Sequence, residues 1–207
     1  VSGATVTILG AGTCQLNASQ AGDPTYAAAT DATTSFTVNP KPLTIAATVS
    51  ATPKIYGDAA TTGYTNTTLV GSDAISGVTN TFTSGSPSYN SATVPTLAGT
   101  YTLTPSAAVF STGLAANYTI TYTTTGYVIN KKALTVTASS HSVTEGDSVP
   151  TITGSYSTFA YSEGAADLTG TLACSTVYTT ASAAGSYAST CSGKTSDNYT
   201  ITYVDGT

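Results

Sequence analysis

The sequence predicts an all-β protein made of small β-sandwich modules set end to end, and three observations carry that reading. The hexamer Asn117-Tyr118-Thr119-Ile120-Thr121-Tyr122 returns unchanged as Asn198-Tyr199-Thr200-Ile201-Thr202-Tyr203, and an internal repeat decides an architecture before any other signal does. Within the hexamer, Tyr118, Ile120 and Tyr122 alternate with Asn117, Thr119 and Thr121, the period of two of a strand with one buried face. The composition agrees: 46 of 207 residues are Thr and 14 are Tyr, residue types that suit a pleated, half-buried surface.

Charge and hydropathy narrow the class further. Only 7% of residues are charged, but 40% are hydrophobic and placed periodically, so the chain has enough apolar surface to fold. Five lysines, no arginine and a net charge of −5 leave no electropositive stripe for nucleic acid. No run of about 18 apolar residues is present, so no membrane insertion is expected in this segment. The chain opens on Val1 without a signal peptide and is expected to be a piece of something longer.

Taken in order, the chain begins with a module end over residues 1–39. Ala4–Leu9 alternates like a strand, Gly10-Ala11-Gly12 turns it, and Thr13–Ala18 alternates again. Gly22-Asp23-Pro24 is a turn signal, and Ser35-Phe36-Thr37-Val38 is a last short strand. Three or four strands are few for an independent β domain, so the first half is expected upstream of Val1. Asn39-Pro40-Lys41-Pro42 reads as a stiff hinge, because each proline holds itself and its predecessor extended.

The second module, 40–130, opens with Leu43-Thr44-Ile45 and closes at Tyr127-Val128-Ile129-Asn130. The third, 131–207, reopens with Leu134-Thr135-Val136, 91 residues on. Gly57-Asp58 aligns with Gly146-Asp147, Ile75-Ser76-Gly77 with Leu168-Thr169-Gly170, and Ala98-Gly99-Thr100-Tyr101 with Ala184-Gly185-Ser186-Tyr187. The hexamers align at an offset of 81, so the second copy is ten residues shorter. The extra residues of the first copy, Thr81 to Leu97, are expected in a loop. Thr207 corresponds to Gly126, which truncates the second copy before its last strand. The short linkers near 39–42 and 130–133 predict little burial between successive modules.

These landmarks carry a resemblance. The opening Leu-Thr-Val strand, Tyr56-Gly57-Asp58, the Leu-Thr-Gly, the Gly-Thr-Tyr and the Asn-Tyr-x-Ile-x-Tyr hexamer resemble the MBG-type (YGX-type) repeat, which occurs in tandem in large bacterial surface proteins and adhesins. The resemblance covers residues 40–207. Gly12-Thr13-Cys14, Ala18–Gly22 and Ser35–Val38 resemble the end of a bacterial Ig-like repeat. The family implies tandem Ig-like β-sandwich modules, an extracellular location and no catalytic residues. Glu145-Gly146-Asp147 departs from the motif by losing the tyrosine, which is expected to remove one core contact.

Candidate chemistry is thin. His141, the sole histidine, lies in an alternating polar stretch and reads as a solvated strand or turn residue. No two of Cys14, Cys174 and Cys191 have zinc-ligand spacing. Asp58, Asp73, Asp147, Glu163 and Asp167 sit near glycines in turns, where calcium takes its ligands, but no dense Asp-x-Asp run accompanies them. They read as turn formers, and no metal, cofactor or enzymatic activity is expected. Cys174 and Cys191 flank a turn-rich stretch as a hairpin would, directly opposite each other, and are expected to form a disulfide. The partner of Cys14 is expected upstream of Val1.

The expected function is a non-catalytic stalk or fibre element of an extracellular bacterial surface protein. Its partners are neighbouring repeats of the same chain, other copies in a fibre, or a surface ligand. The alternative is an adhesive module that recognises a carbohydrate or protein through its loops, with Ser84, Ser86, Tyr89 and Asn90 as the candidate binding loop.

Overall fold

The computed structural model describes residues 5–207. The chain is all-β: among the described residues there are fifteen strands, two single-turn 3-10 segments and no α-helix. It divides into two compact units. The first takes in the described residues through Thr48, with Thr62–Thr81 and Leu103–Thr125; the second holds Val49–Thr61, Phe82–Thr102 and Gly126–Thr207.

In the first unit, β1 (Gly12–Ala18) and β2 (Ala32–Val38) form an antiparallel hairpin, with Gly12 opposite Val38. The turn signal between them holds: Asp23 accepts the backbone N–H groups of Thr25 and Tyr26, each at 2.8 Å. The strand expected over Ala4–Leu9 does not form. Ala4 lies outside the described residues, and Thr5–Leu9 is irregular and exposed. Alternation makes one face apolar but supplies no neighbour for the backbone hydrogen bonds, and β1 takes β2 as its partner.

The hinge also proves shorter than the sequence suggests. Only Asn39 and Pro40 separate β2 from β3 (Lys41–Val49), because the extended conformation that Pro42 imposes is itself a strand conformation. β3 lies between β5 (Thr62–Asn66) and β9 (Tyr118–Thr123). It runs parallel to β9, with Lys41 opposite Tyr118, Leu43 opposite Ile120 and Ile45 opposite Tyr122. Leu43, Ile45 and Tyr118 are buried, with Tyr64, Ile75, Phe110 and Ile120 packed around them.

The second unit repeats that pairing. β11 (Lys132–Ala138) runs parallel to β15 (Tyr199–Val204), with Lys132 opposite Tyr199, Leu134 opposite Ile201 and Val136 opposite Tyr203. The hexamer register against the opening strand is therefore the same in both copies. So is the alternation of covered and exposed residues along β9 and β15. β12 (Gly154–Tyr156) pairs antiparallel on the other side of β11. β13 (Ala173–Thr176) and β14 (Ser189–Ser192) form a hairpin. Its inner face buries Cys191 with Val136 and Ala138.

Two long strands, β6 (Ala74–Gly85) and β8 (Gly99–Thr112), contribute residues to both units. The insertion expected as a loop is instead a β-hairpin. β6 runs on to Gly85, and β7 (Ser88–Ser91) returns along it, with Phe82 opposite Ser91 and Ser84 opposite Tyr89. Phe82 is the reason: it is fully buried, its ring 5.4 Å from that of Tyr127 on β10 (Thr125–Asn130). That anchor holds the insertion against the sheet, and the strand ends pair beyond it.

Candidate functional site

The best-built polar cluster among the described residues lies in the second unit and centres on the Tyr56-Gly57-Asp58 turn. The backbone N–H of Asp58 donates to the Ile55 carbonyl at 2.9 Å. The Asp58 carboxylate accepts the Ile55 N–H at 3.1 Å. Gly57 has φ +101°, and a Cβ there would stand 2.9 Å from Cβ of Ala160, so both backbone conformation and close approach demand glycine. The turn hangs from β10 through the Tyr56 N–H, which donates to the Asn130 carbonyl at 2.8 Å.

This turn aims the Tyr56 side chain at residues of the second repeat copy. Tyr56 is only 4% exposed, and its hydroxyl donates to Glu163 Oε1 at 2.5 Å. The other carboxylate oxygen accepts the Tyr199 hydroxyl, also at 2.5 Å. Tyr199 in turn accepts the Ala160 N–H at 2.8 Å. The Tyr56 ring meets Tyr199 edge-on at 5.3 Å and Tyr161 edge-on at 5.4 Å, the geometry that the ring quadrupoles favour. Burial, and then the bond to Glu163, pushes the Tyr199 phenol up to about 12. The same causes hold the Tyr56 phenol well above its ordinary value. Both phenols therefore stay neutral donors through the physiological range.

Tyr56 is a core contact as expected, and its partners include Tyr161, Glu163 and Tyr199 of the next copy.

The first copy contains the same arrangement without the bridging tyrosine. Tyr118 donates to Asp73 at 2.7 Å and accepts the Val70 N–H at 2.8 Å. The turns Val70–Asp73 and Ala160–Glu163 close alike, through Asp73 N–H to Val70 O and Glu163 N–H to Ala160 O. Two differences matter. Glu163 is one methylene longer than Asp73, and it accepts two phenols where Asp73 accepts one. Tyr161 has φ +52° where the first copy has Gly71 at +53°. A non-glycine residue in that region costs about 1–3 kcal/mol, and the edge-on contact of its ring with Tyr56 contributes about 0.5–1.5 kcal/mol against it.

A second contact recurs. Asn198, which leads the second hexamer, accepts the Ala98 N–H at 3.0 Å. Asn117, which leads the first, accepts the Ala11 N–H at 2.8 Å. Both donors sit in an Ala-Gly pair that precedes a strand, in the segment before the copy that supplies the asparagine. The sequence places these asparagines on the polar face of a strand, and the structure gives them a specific partner. The signal was present in the sequence as Ala-Gly followed by Thr or Ser, recurring at Ala11, Ala98 and Ala184.

The remaining candidates are placed as follows. Cys174 and Cys191 are joined by a disulfide, directly opposite each other with Cα atoms 4.1 Å apart. Cys14 is half-buried and carries no disulfide among the described residues. Ser84 and Tyr89 are half-buried in the β6–β7 hairpin, while Ser86 and Asn90 are exposed. Tyr89 packs edge-on against Tyr101 at 5.7 Å, and its hydroxyl donates to the Thr93 carbonyl, so the ring is held against the protein.

Asp58, Asp147 and Asp167 serve local donors: Asp58 accepts the Ile55 N–H, Asp147 the Thr144 N–H and Asp167 the Gly164 N–H. His141 Nε2 lies 2.9 Å from Ser139 Oγ. That oxygen also accepts the Thr153 N–H at 2.9 Å, so it is engaged in holding the turn.

Residues 134–207 match the model of the MBG domain (YGX type), so the second copy is similar to domains of this type. It is the copy that carries Glu145 in the tyrosine position, which its register of β11 on β15 leaves undisturbed. No curated protein and no solved structure matches the chain.

Proposed function

We propose that this chain is a non-catalytic structural segment of a large extracellular surface protein of bacteria, in which successive MBG-type copies serve as a stalk or fibre element. The observation that carries the reading is the buried Tyr56–Glu163–Tyr199 cluster. It spends the best-organised polar groups of the second unit on joining one copy to the next. Repeats joined by such contacts gain length by simple addition, with stability that depends on each neighbouring interface.

Two further observations support it. The Cys174–Cys191 disulfide suits an oxidising, exported compartment. The net negative charge, with no basic patch, suits an exposed acidic surface that avoids nucleic acid. The competing reading is an adhesive module using the β6–β7 hairpin, which exposes Ser86 in its turn and Asn90 on β7.

The test is adhesion of cells displaying the parent protein, with Ser86→Ala and Asn90→Ala introduced together. These exposed positions leave the buried Phe82 anchor in place. A stalk element keeps its surface display and its adhesion. Loss of adhesion with display and thermal unfolding unchanged would assign binding to the hairpin and overturn the stalk reading.

A further inference from the structure

The Ala-Gly contact occurs at Ala11 and Ala98, and the pair at Ala184 shares the local geometry of the one at Ala98. Ala11 and Ala98 are half-covered, each by the hexamer asparagine of the following copy. Ala184, their counterpart, is exposed. Its local geometry already matches: Tyr187 donates to the Ala183 carbonyl at 2.7 Å, as Tyr101 donates to the Leu97 carbonyl at 2.8 Å. The hydroxyl fixes the chain four residues back in both, so the Ala184 N–H is held ready with no ordering left to be done.

Beside this corner lies an open groove of about 360 Å³, lined by Tyr178, Tyr187, Pro150 and Ile152, with Glu145 and Thr207 also on its wall. Glu145 is the counterpart of Tyr56, and its turn is intact. Gly146 has φ +89°, the Asp147 N–H donates to the Thr144 carbonyl at 3.0 Å, and Asp147 accepts the Thr144 N–H. One groove thus carries the counterparts of both junction elements, the Glu145-Gly146-Asp147 turn and the Ala184-Gly185 corner, with a carboxylate in place of the phenol.

On the reading of the chain as a repeat segment, we infer that this face docks a further MBG-type copy following in the same chain. The hexamer asparagine of that copy accepts the Ala184 N–H, and its turn residues seat in the groove beside Tyr187. Within this chain, Asn117 and Asn198 are already engaged, so the occupant is a copy that brings its own asparagine. Glu145 adds a specificity element. A copy presenting a carboxylate at the position of Glu163 meets like charge there, and one presenting a hydroxyl, amide or cation is favoured.

The chain is extended at Thr207 with its own residues 127–207, which continue the repeat in register. Glu145→Tyr is included so that the appended Glu163 meets a phenol. Hydrogen exchange at Ala184 is read by nuclear magnetic resonance. The amide is expected to exchange at least about tenfold more slowly than in the unextended chain. The protection should vanish when the appended copy's Asn198 is changed to Ala. A second extension, residues 127–130 followed by 40–130, presents the same hexamer in the longer copy. Ala184 exchange unchanged in both extended chains overturns the inference. That result leaves the stalk reading to the adhesion test, which does not involve this face.

Discussion

Replacing Tyr56 with phenylalanine deletes one hydroxyl from the carboxylate cluster and leaves the ring contacts with Tyr161 and Tyr199 in place. The bond lost is a buried one to a charged acceptor, and such bonds contribute about 1.5–3 kcal/mol. Glu163 keeps the Tyr199 hydroxyl on its other oxygen, so the carboxylate loses half its donors and the loss should sit near 2 kcal/mol. Glu163→Gln removes the charge but keeps an oxygen for one phenol, and should cost a similar amount. Because the two groups touch, the double variant should fall short of the sum by about 1–2 kcal/mol. The assay is urea unfolding, followed by circular dichroism and tyrosine fluorescence, since the chain has no tryptophan. Tyr118→Phe, which removes the hydroxyl on Asp73, serves as the comparison within the first unit. A Tyr56→Phe effect below about 0.5 kcal/mol, or strictly additive losses, would refute the claim that this cluster fastens the copies.

Reducing the Cys174–Cys191 disulfide, or replacing both residues with serine, should lower stability by about 3 kcal/mol for a loop of this length; non-reducing peptide mapping checks the pairing. Gly57→Ala should cost about 1–3 kcal/mol from backbone strain and more from the encounter with Ala160, whereas Gly146→Ala meets nothing within 4 Å and should show the strain alone; paired thermal melts separate the two. The raised phenols predict a one-sided pH dependence. A folded pKa above the unfolded value of 10.0 means the unfolded state loses its protons first. The contribution of Tyr199 is thus fully present below about pH 10 and is lost as the pH rises towards 12. Ultraviolet difference titration of wild type against Tyr199→Phe checks it, and a normal phenol titration would contradict the burial described.

Much of the fold was legible in the residues because it depends on local pattern. The hexamer states its own conformation: three large residues alternate with three small polar ones, and both copies show the same burial along the strand. The spacing of Cys174 and Cys191 around a turn-rich stretch was enough to set them opposite each other, since a hairpin register follows from its turn. The Tyr-Gly-Asp turn was equally visible, and its glycine is required in both copies.

Three features depended on what each segment meets in space. Thr5–Leu9 carries the alternation of a strand and is none, because a strand needs a neighbour for its backbone and alternation does not name one. The insertion after Thr81 became a hairpin because Phe82 found Tyr127, a contact across 45 residues. Above all, Tyr56 reads as a core residue without a named partner, and it is buried against Glu163, 107 residues away. Periodicity determines which side chains must leave water, and that much the sequence alone decided. Which surface takes them in depends on the shape and hydrogen-bonding groups of a partner far along the chain, and only the tertiary structure brings that partner within reach.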